Sequence, residues 1–166
     1  GSTRSERQFA SRLGLPLEWL DGKLVLDAGC GTGRFAEIAA KYGATVVGLD
    51  LSFAIDVAAR NLERWTSVHL LQADLASLPL AQETFDLVYA FGVLHHTPDA
   101  RRAFDALAPL VKPGGRMAIF VYSAYNKGIV YSSALWRALT TRMPRRLLYG
   151  LCGIAVPLYY LYRLPV

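Results

Sequence analysis

One stretch limits what this chain can fold into: Leu24 to Phe35, written LVLDAGCGTGRF. Leu24-Val25-Leu26 is a short apolar run of the kind that makes a fully buried parallel strand, and it breaks abruptly into three alternating glycines. Gly29, Gly31 and Gly33 remove every Cβ from one side of the turn, so a ligand can approach the main chain closely. The following helix, expected from Gly33 to Tyr42, aims its unpaired N–H groups and positive dipole end back at that turn. Strand, ligand-binding turn and helix follow in that order.

A turn of this kind serves dinucleotides as well as other ligands, and Asp27 separates the cases. A nicotinamide cofactor presents a pyrophosphate here, for which an acid at the strand end does nothing, whereas a ligand carrying an ammonium group would want one. Arg34 also stands where the dinucleotide pattern has its third glycine. The run D-A-G-C-G-T-G resembles motif I of the class I S-adenosylmethionine-dependent methyltransferases, of the type 11-like kind. The resemblance implies that Gly29, Cys30, Gly31, Thr32 and Gly33 lie against the methionine moiety of S-adenosyl-L-methionine, and that Asp27 helps to hold its amino group. The bland alternative is a glycine turn that only lets strand and helix pack.

At 166 residues the chain has the size of one ordinary domain, and its hydrophobic fraction of 53% excludes disorder. Two cysteines make no disulfide framework, and Cys30 in the turn with Cys152 in an apolar run fits a reducing cytoplasm. No metal-ligand spacing joins them to His69, His95 and His96. The net charge of +5 hides an asymmetry: eight basic and eleven acidic residues from Gly1 to His96, ten basic and two acidic from Thr97 to Val166. The basic half has no helix-turn-helix, zinc-finger or aromatic RNA-binding signature, which speaks against a nucleic-acid partner.

Taken in order, residues 1–22 read as an N-terminal flank or lid, in which Phe9 and Arg12 either close over a ligand in the glycine turn or belong to a packing helix. Ala44 to Leu49 is a second buried strand ending in Asp50, roughly twenty residues past the first glycine, where doubly wound folds place a carboxylate on ribose hydroxyls. Shielded bonds of that kind contribute roughly 1.5–3 kcal/mol each. The competing role for Asp50 is a helix cap, although Ser52 suits that better. Val68 to Leu71 is a third strand. The run Q-A-D-L-x-x-L-P that follows resembles the next family motif, which implies that Asp74 and the backbone after it at Leu75 read adenine, beside Leu51 and Phe91 in the cofactor site. Thr84 to Phe91 is a fourth strand. Thr97 is expected to cap a helix beginning at Pro98, Lys112-Pro113-Gly114-Gly115 reads as a turn, and Arg116 to Tyr122 is a fifth strand.

Strands alternating with helices make a doubly wound, Rossmann-like, mostly parallel α/β sheet over residues 23–122, with ligands beyond the carboxyl ends of the strands. His95 and His96 follow the fourth strand on that rim and are candidates for a catalytic base, against a packing role that the family resemblance also allows. The implied activity is methyl transfer to a small or lipophilic acceptor. A nicotinamide oxidoreductase and a cofactor-binding fragment without turnover are the competitors.

The family sheet usually ends in a hairpin, and residues 123–166 read as helices in its place. The expectation is an insertion after the fifth strand in a sequence that stops before the hairpin. Ile129, Val130, Leu135, Trp136 and Leu139 precede a basic cluster, Arg142, Arg145 and Arg146, and then sixteen uncharged residues from Leu147 to Tyr162; the whole tail has six basic residues and no acidic one. Two partners fit it. One is protein, as a cap or a homo-oligomer contact through Trp136, Leu139, Leu147, Leu151, Ile154 and Tyr159. The other is an anionic membrane surface, which would make a cytoplasmic protein membrane-peripheral.

Overall fold

Five apolar segments become the five strands of one sheet, in the order β3-β2-β1-β4-β5 and parallel at every pairing. The computed structural model describes residues 3–122 and 127–162, without the side chains of residues 127, 129, 130 and 158–162, so the contacts expected of Ile129, Val130 and Tyr159 lie outside the described residues. The chain divides into two units, Gly1–Tyr122 and Ser123–Val166.

In the first unit the elements are α1 (Arg4–Leu13), β1 (Leu24–Ala28), α2 (Arg34–Lys41), β2 (Thr45–Asp50), α3 (Ala54–Leu62), β3 (Val68–Gln72), β4 (Phe85–Phe91), α4 (Ala100–Leu107) and β5 (Val111–Phe120). The continuous apolar runs of β1 and β4 are explained by burial on both faces of the sheet. Val25, Leu87 and Tyr89 enter one cluster with Phe9, Leu20 and Ala39, while their neighbours Leu26, Val88 and Ala90 enter another with Leu49 and Leu107. Each fully buried Leu or Phe is worth roughly 1.5–3 kcal/mol over exposure.

Helix α1 is a layer of that core. Thr3 and Glu6 form a capping box at its start, Glu6 Oε1 also accepts from Lys41 Nζ of α2 at 2.5 Å, and Phe9 is completely buried among Phe35, Tyr89 and Phe91. The lid expectation for Phe9 gives way to packing, because a ring with no exposed surface cannot open and close without dismantling the core.

Two further details differ from the sequence reading. The helix after β4 is capped by Asp99, whose side chain accepts from the Arg102 amide, while Thr97 Oγ1 donates to the Leu94 carbonyl and closes a 3-10 turn, Leu94–His96. β5 begins at Val111 and takes in the expected turn. Phe85 pairs with Val111 and Leu87 already pairs with Arg116, so Lys112 to Gly115 bulge out between two paired positions.

The second unit comprises α5 (Lys127–Thr140) and α6 (Arg145–Tyr162), with Pro157 inside α6. Trp136, Met143, Leu148, Leu151 and Ile154 line an apolar groove of about 390 Å³ between them. No helix among the described residues is long and apolar enough to cross a membrane.

Candidate functional site

The order β3-β2-β1-β4-β5 reverses direction between β1 and β4, and at such a switch point the loops after neighbouring strands leave in opposite directions and open a crevice. A cleft of about 410 Å³ lies there, lined by Gly29 after β1, Asp50, Leu51 and Ser52 after β2, Asp74 and Leu75 after β3, and Val93, His96, Thr97 and Pro98 after β4. A larger hollow of about 710 Å³ lies on the outer side of α1 and α2, lined by Glu6, Arg34, Glu37, Lys41, Arg64 and Trp65. None of its lining residues belongs to a strand end, and the smaller cleft is where the fold converges.

The glycines have different jobs. A Cβ on Gly29 would stand 2.3 Å from Val93 Cγ2 and one on Gly33 would stand 2.5 Å from Leu62 Cδ1, so both serve packing. Gly31 has φ +55 and nothing within 4 Å of its Cβ position, so its missing side chain leaves open space.

The amides of the turn point inward. Gly29 and Cys30 both donate to the Leu49 carbonyl at 2.7 and 2.8 Å, Gly31 donates to Asp50 Oδ2 at 2.8 Å, and Gly33 donates to the Cys30 carbonyl at 2.9 Å. A pyrophosphate needs such amides free, and four of them are committed.

Asp27 is 3% exposed, and its Oδ2 has no hydrogen-bond partner. Its register partner across β1 and β4 is Tyr89, which is wholly buried and whose hydroxyl is likewise without a partner. The two groups interact electrostatically without completing a bond between those atoms. Burial pushes the Asp27 carboxyl up to about 7; Tyr89 acts against that shift, the charge of Asp50 adds to it, and the Ala36 amide acts against it. Burial, with the charges of Asp27 and Asp50, pushes the Cys30 thiol upward, which makes it a packing residue and a poor nucleophile.

Asp50 Oδ2 accepts from Gly31 N–H, and its Oδ1 accepts from both the amide and the hydroxyl of Ser52, at 2.9 and 2.6 Å. A carboxylate has about four acceptor positions, so three are taken and a ribose would have to compete with the Ser52 hydroxyl, which is free to rotate. Asp74 is exposed and accepts from the Ala76 amide through Oδ1 at 2.9 Å.

The histidines part company. His96 lines the cleft. The His95 ring packs between His96 and Tyr122, at centroid distances of 4.1 and 4.7 Å, with both ring nitrogens buried and unpartnered. Burial, then His96, lowers the His95 pKa from the ordinary imidazole value.

Of the residues singled out from sequence, Asp27, Cys30, Gly31, Thr32, Gly33, Phe91 and His95 do not line the cleft. Asp27 lies beneath the turn, and Phe91 ends β4 beside Phe9, Phe35 and Tyr89. Arg12 faces the same aromatic group, its guanidinium 4.1 Å from the Phe120 ring centre and 5.6 Å from those of Phe35 and Phe91. The sequence reading missed Val93, Ser52, Pro98 and Tyr89. Only the Gly92-Val93-Leu94-His95-His96 run, directly after a strand, carried any signal for them.

The profile of the family described as "Methyltransferase domain" matches residues 26–119. The chain belongs to the class I S-adenosylmethionine-dependent methyltransferase family. Among curated relatives, a ubiquinone biosynthesis O-methyltransferase of Coxiella burnetii is 36% identical over 115 residues, covering 68% of this chain and 49% of the relative. The chain therefore spans about half the length of the curated relatives it matches. Among solved structures, an S-adenosylmethionine-dependent methyltransferase from Mesorhizobium loti is 34% identical with a TM-score of 0.59, covering 69% of this chain and 52% of that one. The [4+2]-cyclase SpnF is 28% identical with a TM-score of 0.61, covering 70% and 43%. Family membership fixes the fold and the class of cofactor site, and the same fold also carries a protein named for a different reaction.

Proposed function

We propose that this chain binds S-adenosyl-L-methionine and serves methyl transfer to the hydroxyl oxygen of a small or lipophilic acceptor. The observation that carries the reading is the buried, unpartnered Asp27 Oδ2 beneath a glycine turn whose amides are committed inward. Such a site disfavours a pyrophosphate and favours a cationic head. The O-methyltransferase named among the relatives supports oxygen as the acceptor atom.

When bound, S-adenosylmethionine supplies an electrophilic sulfonium methyl. This chain's residues hold, orient and exclude. Asp27, beneath the turn and off the cleft wall, favours the ammonium group by its charge, while Asp50 accepts from the ribose hydroxyls and Asp74 from the adenine amino group, with Leu51 and Leu75 beside the base. Arg12, fixed among three rings and without an acidic partner among the described residues, suits a carboxylate at the methionine end. His96, on the wall of the cleft, is the member of the pair suited to take the acceptor's proton, while His95 packs against it at a tilt. Alignment of the reactants is worth up to roughly 7–11 kcal/mol, so a base of modest strength suffices.

Calorimetric titration with S-adenosylmethionine and with NAD tests the cofactor; binding of NAD alone would sink the reading. Transfer of labelled methyl to a panel of phenolic and lipophilic hydroxyl compounds tests the reaction. The span of about half the relatives' length favours a second reading, a cofactor-binding unit without turnover by itself. Tight cofactor binding with no transfer to any acceptor would select it.

A further inference from the structure

Helices α5 and α6 keep their large apolar side chains in the open. Tyr131, Leu135 and Leu139 recur every four residues along α5 and, with Trp136, are 46% to 72% exposed. On α6, Leu147, Leu151 and Ile154 form one exposed stripe. Tyr149 and Val156 lie on the opposite side, 77% and 53% exposed. With no charge from Leu147 to Tyr162, α6 has no polar side to turn to water, and the exposed Leu147, Leu151 and Ile154 stripe is a face left to bury.

The charges are as one-sided as the apolar groups. Arg137, Arg142, Arg145 and Arg146 are exposed and gather where α5 ends and α6 begins, and residues 123–166 contain no acidic residue to pair with them. Tail-to-tail contact with a second copy of the chain would bring like charges together and would be opposed by their repulsion. An anionic surface would neutralise them.

We propose that α5 and α6 dock on an anionic phospholipid bilayer, with the arginines at the lipid phosphates and Trp136, Leu135, Leu147 and Leu151 at the headgroup and acyl boundary. The contact is peripheral. Sixteen uncharged residues make about 24 Å of helix, short of a hydrocarbon core of about 30 Å, and Gly150, Gly153 and Pro157 interrupt them. The apolar groove between the helices has the shape and lining to admit part of an acyl chain. The proposal is independent of the cofactor reading.

The test is co-sedimentation of the 166-residue chain with phosphatidylcholine vesicles, with or without phosphatidylglycerol. The expected result is strong partition only onto the phosphatidylglycerol vesicles, loss of binding as salt is raised, and a blue shift of Trp136 emission that is absent from Trp136→Phe. Arg142→Glu, Arg145→Glu and Arg146→Glu together should lower the partition coefficient at least about a hundredfold, at about fivefold per removed cation. Circular dichroism of the same variant should stay native, which shows that the fold is intact. Equal binding to neutral vesicles, or no vesicle binding with concentration-dependent self-association in light scattering, would overturn the proposal. The salt titration of the unaltered chain separates the same outcomes without any substitution.

Discussion

The two units of this chain treat similar residues in opposite ways. In the sheet unit Leu20, Leu26, Leu49, Leu87 and Leu107 are nearly or wholly buried, and one of the few charged groups inside, Asp27, keeps one carboxylate oxygen unpartnered. In the tail Leu135, Leu147 and Leu151 are 45% to 61% exposed, and Arg137, Arg142, Arg145 and Arg146 are exposed with them. The lesson is that apolar content alone does not make a core. In the sheet unit, alternation across two buried faces turns it into stability, and the unpartnered oxygen of Asp27 is the exception on which the proposed cofactor site rests. In the tail, apolar residues on opposed helix faces with cations at one end mark a surface for something larger.

The sharpest way to break that contrast is to truncate a leucine in each unit. Leu20→Ala should cost roughly 2–5 kcal/mol in urea unfolding, and Leu135→Ala should stay within roughly 0.5 kcal/mol. Equal costs would show that the tail side chains are as firmly packed as the sheet's.

Asp27→Asn addresses the polar exception. With its carboxyl at about 7 in the fold against an ordinary 3.8, the native state binds a proton that the unfolded chain has already lost between those values. Stability attributable to Asp27 is therefore highest at acid pH, falls as pH rises from about 4 to about 7, and stays low above. The distance between the two values caps the effect at on the order of 4 kcal/mol. Asp27→Asn should stabilise the chain at pH 8 and flatten this pH dependence in thermal melts. A less stable variant at pH 8 would mean that the interactions with Tyr89 and the Ala36 amide outweigh the cost of burying the charge.

Asp50→Ala should weaken S-adenosylmethionine binding by about 2–3 kcal/mol, for two shielded hydroxyl bonds. Its three bonds to Gly31 and Ser52 add a consequence for the fold, a loss of about 1 kcal/mol or more of stability. Unchanged affinity with native circular dichroism would remove Asp50 from the site. Gly31→Ala should be the mildest for the fold, about 1–2 kcal/mol of left-handed backbone strain without a clash, while still crowding the ligand. A loss in stability as large as that from Gly33→Ala would show that its space is not open.

Much of this was legible in the sequence, for reasons that differ by element. The first four strands announce themselves as apolar runs stopped by Gly, Pro or an acid, and the resemblance of D-A-G-C-G-T-G to motif I located the turn. The start of β5 was hidden because Lys112 to Gly115 have turn chemistry and are carried as a bulge between paired residues. Asp99 and Thr97 are both good caps, and only the three-dimensional path of the loop chose Asp99. Tyr89 beside Asp27 is a register contact between strands 62 residues apart in sequence, which no local pattern reports. The inward commitment of the turn amides depends on Leu49 and Asp50 arriving from β2, again a long-range fact.

The central claim is that Asp27 waits for a cationic head, and titration of two ligands across pH tests it most directly. S-adenosylmethionine carries the ammonium and methylthioadenosine lacks it. A cationic ligand binds the ionised carboxylate, so below the Asp27 value of about 7 each binding event must release a proton. S-adenosylmethionine affinity should fall by about tenfold per pH unit from about 7 towards about 5, while methylthioadenosine affinity stays nearly flat, and Asp27→Asn should erase the difference. Parallel pH profiles for the two ligands, unaltered in Asp27→Asn, would contradict the account.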